Sequence, residues 1–153
     1  MVGATLALSL ALAHLLAGDP NLCQKTAQDA AAYDYLPSRA QMQLVLGIAQ
    51  LRQDAHPEAR QSFTAVVEHT DALQHLPEDY FALERKGLAL CGLALAGQPH
   101  QLPDAIATFR KARAITAAPG IVATTLSLLD AIAATDTTGR LKAARSAAQG
   151  DPS

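Results

Sequence analysis

The sequence contains no tryptophan, and aromatic residues make up only 4% of its 153 positions. A core without many large rings has to be filled by Ala and Leu, a composition that favours close helix–helix contact over a sheet. Charge is also sparse, at 17% of residues, where about a quarter is usual. The polar face is therefore thin, and some apolar surface is left over for a partner. There is no CxxC pair. Cys23 and Cys91 are solitary and far apart, as expected of reduced, buried thiols in a cytosolic protein rather than of a disulfide frame.

The formal net charge of −2 gives no electrostatic footprint for nucleic acid. The one basic cluster, Arg110, Lys111 and Arg113, falls within a helical pattern and reads as a solvated face. Also missing are GxSxG and a glycine-rich phosphate loop. No catalytic residue, cofactor site or metal site is therefore assigned, and an enzyme is not expected. The apolar run VGATLALSLALAHLLAG at residues 2–18 has no preceding Lys or Arg and is interrupted by Ser9 and His14. It reads as a buried helix rather than a signal peptide or a membrane span.

What the chain does have is regular punctuation. Gly18-Asp19-Pro20, Pro37-Ser38, Asp54-Ala55-His56-Pro57, Leu76-Pro77-Glu78-Asp79, Gly97-Gln98-Pro99 with Pro103-Asp104, Pro119-Gly120 and Thr137-Thr138-Gly139 divide it. Proline just inside the start of a run and glycine just past its end mark helix limits, and Asp79 is placed to cap one. Between the marks apolar residues recur at three and four, as in Ala105, Ile106, Phe109, Ala112 and Ile115. The pattern predicts an all-α chain of about eight helices, packed as successive antiparallel pairs.

The pairs carry a repeat. Gly47, Ala59 and Phe63 recur approximately as Gly92, Ala105 and Phe109. Ala11, Cys23 and Ala27 hold the same places near the start, and Ala131, Ala143 and Ala147 hold them near the end. Successive first positions are 36, 45 and 39 residues apart. A small residue is needed where helices cross closely, because side-chain bulk sets the interaxial distance. Gly47 and Gly92 supply it despite a helix cost of about 1 kcal/mol each. Phe63 and Phe109, one turn beyond Ala59 and Ala105, are expected to fill the space towards the following pair.

These residues resemble the tetratricopeptide repeat, whose first helix carries Leu-Gly and whose second carries A-x3-F. Leu46-Gly47, Ala59 and Phe63 match it, and Gly92, Ala105 and Phe109 match with one extra loop residue. Gln43 and Leu88 replace the bulky aromatic of the pattern, Gln50 and Leu95 its tyrosine, and the spacings exceed the family's about 34 residues. The resemblance implies a superhelix of four degenerate repeats, roughly 4–37, 38–76, 77–119 and 120–150. The closing APGIVATTLSLLDAIA is similar to the tail of such arrays behind bacterial signal-transducing NTPases and regulators.

In that family the first helix of each pair lines a concave, partner-binding face. Carried over, this face comprises Leu44, Ile48 and Leu51 in the second repeat and Ala89, Leu93 and Ala96 in the third. Leu8, Leu12 and Leu15 in the first repeat and Leu128, Ile132 and Thr135 in the fourth would extend it. Members that grasp acidic peptide tails present Lys, Arg and Asn here, so Leu44 and Ile48 exclude such a clamp. The expected partner is a protein or peptide segment held by apolar side chains, or a second copy in a homodimer, with no nucleic acid and no membrane. The alternative is that these residues are simply core. The start within a repeat and the polar end QGDPS suit the C-terminal part of a larger cytoplasmic regulator; a standalone scaffold or oligomeriser is the other reading. His69 and His75 are six residues apart, so they fall on different faces of a helix, unlike a metal-binding i, i+4 pair, and read as a solvated helix end.

Overall fold

The computed structural model describes residues 36–72 and 80–150, together with Asn21. Six α-helices occupy them: α1 (Leu36–Arg52), α2 (His56–Ala72), α3 (Tyr80–Leu95), α4 (Leu102–Ile115), α5 (Pro119–Ala133) and α6 (Lys142–Gln149), with a 3-10 turn at Pro99–Gln101 before α4. No strand occurs among the described residues. The first predicted repeat, the Asp79 cap and His75 lie outside them.

The punctuation acts locally as its chemistry requires. Pro103 and Pro119 occupy the first turns of α4 and α5, where a backbone N–H has no intrahelical partner to lose. Pro103 thus lies inside α4, and the predicted loop before it is partly taken up by the 3-10 turn. The first helices of two successive pairs end alike. Ala55 N–H donates to the Gln50 carbonyl (2.9 Å) across Asp54 at φ 59°, and Gln98 N–H to the Leu93 carbonyl (2.9 Å) across Gly97 at φ 113°. Each is a left-handed residue closing a helix so that its last carbonyls are satisfied. Asp54 does this with a side chain in a region where L-residues are strained and only Asn and Asp are at all common.

From α1 to α4 successive helices pack on one another, α2 against both α1 and α3, and α5 packs on α6. Close contacts run antiparallel within a pair: Gln50 meets Ser62 and Gly47 meets Phe63, while Glu84 meets Arg113 and Gly87 meets Phe109. α1 and α3 lie side by side, with Arg85 Nη2 donating to Gln41 Oε1 at 3.0 Å. α6 packs on α4 as well as on α5. A single cluster containing Leu44, Val45, Ile48, Phe63, Leu88, Phe109, Leu129 and Ile132 runs through all six helices.

The centre of that cluster is a ring held between two glycines. A Cβ at Gly47 would stand 2.8 Å from the Phe63 ring, and one at Gly92 would stand closer still. Phe63 therefore fills the space towards the following pair, as its spacing predicts. Phe109 differs: its ring lies against Gly87, where a Cβ would be 2.6 Å away, and not against Gly92. Gly87 is the true counterpart of Gly47 within its pair, and Gly92 is the receiving surface for the pair before. In the last pair Ala131 and Ala147 are buried as expected, but Ala143 is exposed and Ala144 and Ala148 carry the contact. The outward side of α6, with Lys142 and Gln149, is polar.

Gly47→Leu, Gly87→Leu and Gly92→Leu should each lower stability by about 1–3 kcal/mol or more through overpacking. Gly120→Ala, at a position with nothing within 4 Å, should be neutral or slightly stabilising because the unfolded chain loses freedom. Denaturant midpoints of the four variants check this ordering.

A cleft across the first helices of three pairs

Of the residues predicted for the concave face, Leu8, Leu12 and Leu15 lie outside the described residues, and most of the others are buried. Leu44, Ile48, Leu51, Ala89, Leu93 and Ala96 are buried to 3% exposure or less and belong to the core cluster. Leu128 and Ile132 are buried too, and Thr135 is half-buried. Helical period explains the first six. They share α1 and α3 with Gly47, Gly87 and Gly92, and such close crossings leave little of either helix uncovered.

Leu44 and Leu128 nevertheless reach a cleft of about 140 Å³ that opens between α1, α3 and α5. Each helix presents one stripe to it at helical spacing: Gln41 and Leu44; Phe81, Glu84, Arg85 and Leu88; Ile121, Thr124, Thr125 and Leu128. Leu44, Leu88 and Leu128 make an apolar floor. Phe81 stands on the rim with 51% of its surface exposed, and the Arg85 guanidinium lies 5.6 Å from its ring centroid. Cationic stacking of this kind pre-orients both side chains.

The wall of the cleft contains a buried charge. The Glu84 carboxylate accepts from the Arg113 guanidinium of α4, and its Oε1 also accepts from Thr125 Oγ1 of α5 at 3.1 Å. The side chains of Arg113 and Glu84 are 6% and 7% exposed. Burial holds the Arg113 guanidinium below its ordinary range. Arg113 Nη1 donates to the Thr116 carbonyl at 3.1 Å, while its Nε is buried without a partner. This corrects the reading of the basic cluster: Arg110 and Lys111 are exposed, but Arg113 turns inward. Sequence reasoning missed the pair although a signal was present. Glu84 lies four residues before Leu88, and Arg113 lies four after Phe109, which places both on the core faces of their helices.

The remaining candidates are more ordinary. Cys91 is fully buried, and burial pushes its thiol up to about 12. His69 is half-buried, with Nε2 lacking a hydrogen-bond partner. Among the described residues no group of three or more His, Cys, Asp or Glu side chains is arranged to hold a metal ion. Among the same residues no helix is long and apolar enough to cross a membrane. Gln50, where the repeat pattern has tyrosine, is buried and accepts from Ser62 Oγ at 2.6 Å, so a polar bridge joins α1 to α2 there.

No protein-family model matches this sequence, and neither the curated proteins nor the solved structures give a match to it. The likeness to tetratricopeptide repeats thus rests on the residues themselves.

Ile48→Asp and Leu93→Asp each bury an unpaired charge, which costs about 3–5 kcal/mol. Both should abolish cooperative thermal unfolding as followed by circular dichroism. In a Cys23→Ser variant, Cys91 should resist an aromatic disulfide reagent at pH 8 and react fully once the chain is denatured, because only the thiolate attacks and burial suppresses it; the rate of chromophore release measures this.

Proposed function

We propose that this chain is a protein–protein interaction or sensor module of tetratricopeptide-like design, the C-terminal part of a larger cytoplasmic regulatory protein. In this reading it binds a partner segment through apolar side chains on the face formed by α1, α3 and α5. The observation that carries the reading is the cleft with the half-exposed Phe81 on its rim. An exposed aromatic beside an apolar pocket is the arrangement found at the energetic centres of interfaces. The volume of about 140 Å³ suits one aliphatic or aromatic side chain of a docked helix or strand. Leu44 meets such a side chain directly, while Ile48, Leu51, Ala89, Leu93 and Ala96 support the floor from behind. The carboxylate in the wall is already neutralised by Arg113, so a cationic partner group is not called for.

A second reading, self-association through the same face, draws on Ile115. It is 41% exposed and lies at the same end of the α3–α4 pair as Phe81. Two large apolar side chains exposed at that end are ones a second copy could cover.

Selection from a displayed library of random twelve-residue peptides tests the first reading. Enriched peptides should share a large apolar residue and bind with little dependence on salt, since no charge clamp is involved. Phe81→Ser and Ile121→Ser should each weaken them about tenfold or more, with melting behaviour unchanged. Binding indifferent to both substitutions would place the interaction elsewhere, and a concentration-dependent dimer in sedimentation, lost in Phe81→Ser, would favour the second reading.

A further inference from the structure

The last helix pair is attached differently from the one before it. α2 packs along α3, whereas α5 rests on α3, α6 and α1 without a comparable contact to α4, and the last pair reaches α4 through α6 instead. The passage from α4 to α5 is three residues long, with Thr116 extended, its Oγ1 accepting from Ala118 N–H at 3.2 Å, and Ala118 starting α5 without a side-chain cap. The side-chain hydrogen bonds that tie α5 across this seam converge on Glu84 and Arg113. Thr125 of α5 donates to Glu84 of α3. Arg113 of α4 donates both to Glu84 and to the carbonyl of Thr116 at the start of the connection. Its Cγ and Cδ also pass alongside Gly150, the left-handed residue that closes α6.

We propose that the Glu84–Arg113–Thr125 cluster is a latch that fixes α5 against α3 and so sets the width of the cleft. A buried ion pair is a poor source of stability, because desolvation of both charges offsets their attraction and an apolar replacement is often as good. Here the cost is aggravated by the unpartnered Arg113 Nε. What a buried pair does supply is direction. The carboxylate is satisfied only when α4 and α5 both present their donors to α3, so one placement of α5 is singled out from the many that apolar packing alone would tolerate. Glu84 and Thr125 are themselves cleft-lining residues, one from each side. Opening the latch therefore changes the cleft directly, whatever the cleft holds.

The latch is tested by hydrogen–deuterium exchange on the full chain, in the absence of any ligand, so its outcome is separate from the binding reading. Thr125→Val is the decisive variant, since it keeps the ion pair and the side-chain shape and removes only the hydroxyl. Loss of a hydrogen bond to a charged group should accelerate exchange about tenfold in peptides covering 121–133, less in those covering 142–149, which also pack on α4, and leave those within 43–70 unchanged. Glu84→Gln should act in the same direction and more strongly, and if it fails to fold, Thr125→Val still decides. Equal acceleration in every helix would reduce the cluster to a general contributor to stability and overturn the latch. No change in α5 and α6 would overturn it as well.

Discussion

A phenyl ring can be enclosed by two neighbouring helices only if both come close enough to touch its faces, and a helix can do that only where it lacks a Cβ. Phe63 meets this condition between Gly47 and Gly92. The contact joins three helices of two successive pairs, and it fixes their separation more tightly than Ala and Leu packing would. The other features inherit this spacing. The buried bridge from Ser62 to Gln50 requires α1 and α2 at short range. The bond from Arg85 to Gln41 requires α1 and α3 side by side. The cleft exists because those two helices, so placed, meet α5 along one edge.

The same logic explains why a composition poor in aromatics and charge is workable. With rings at Phe63 and Phe109 in the core, the remaining volume can be filled by alanine, which loses no side-chain entropy on folding. The helices then approach along most of their length, and interiors packed in this way tolerate little change in volume. The cost is a shortage of polar surface for solvation, offset on the outer helices by pairs such as Arg145 with Asp130 and Lys86 with Asp71.

Helix limits were legible because they depend on short-range chemistry: proline in a first turn and a left-handed residue past the last. The closeness of α1, α2 and α3 was legible too, since the spacing of Gly47, Phe63 and Gly92 already implied it. The partner of Phe109 was not. The sequence offers both Gly87 and Gly92 on α3, five residues apart, and only the actual register decides between them. The register of α6 failed for a related reason, because in an alanine-rich helix neighbouring positions look alike and Ala143 cannot be told from Ala144. The described part of the stripe carried over from the repeat pattern is mostly buried, and the side of the cleft nearer to solvent carries residues such as Phe81 and Ile121. Glu84 and Arg113 were overlooked because charge was equated with surface, although their helical positions pointed inward.

Stacked helix pairs carry an inherent hazard of growth. Every pair that offers a face to its neighbour on one side has a second face on the other, and an apolar one would invite another molecule to continue the stack. Such head-to-tail contacts do not close on themselves and lead to open filaments. The sides of α5 and α6 that no other described helix covers carry Ser127, Asp130, Lys142 and Gln149 among small alanines. A further pair laid over them would have to strip water from these groups without returning hydrogen bonds, a penalty that small apolar contacts do not recover. The polar groups on the outer sides of α5 and α6 thus make it costly for an apolar surface to be laid over this pair.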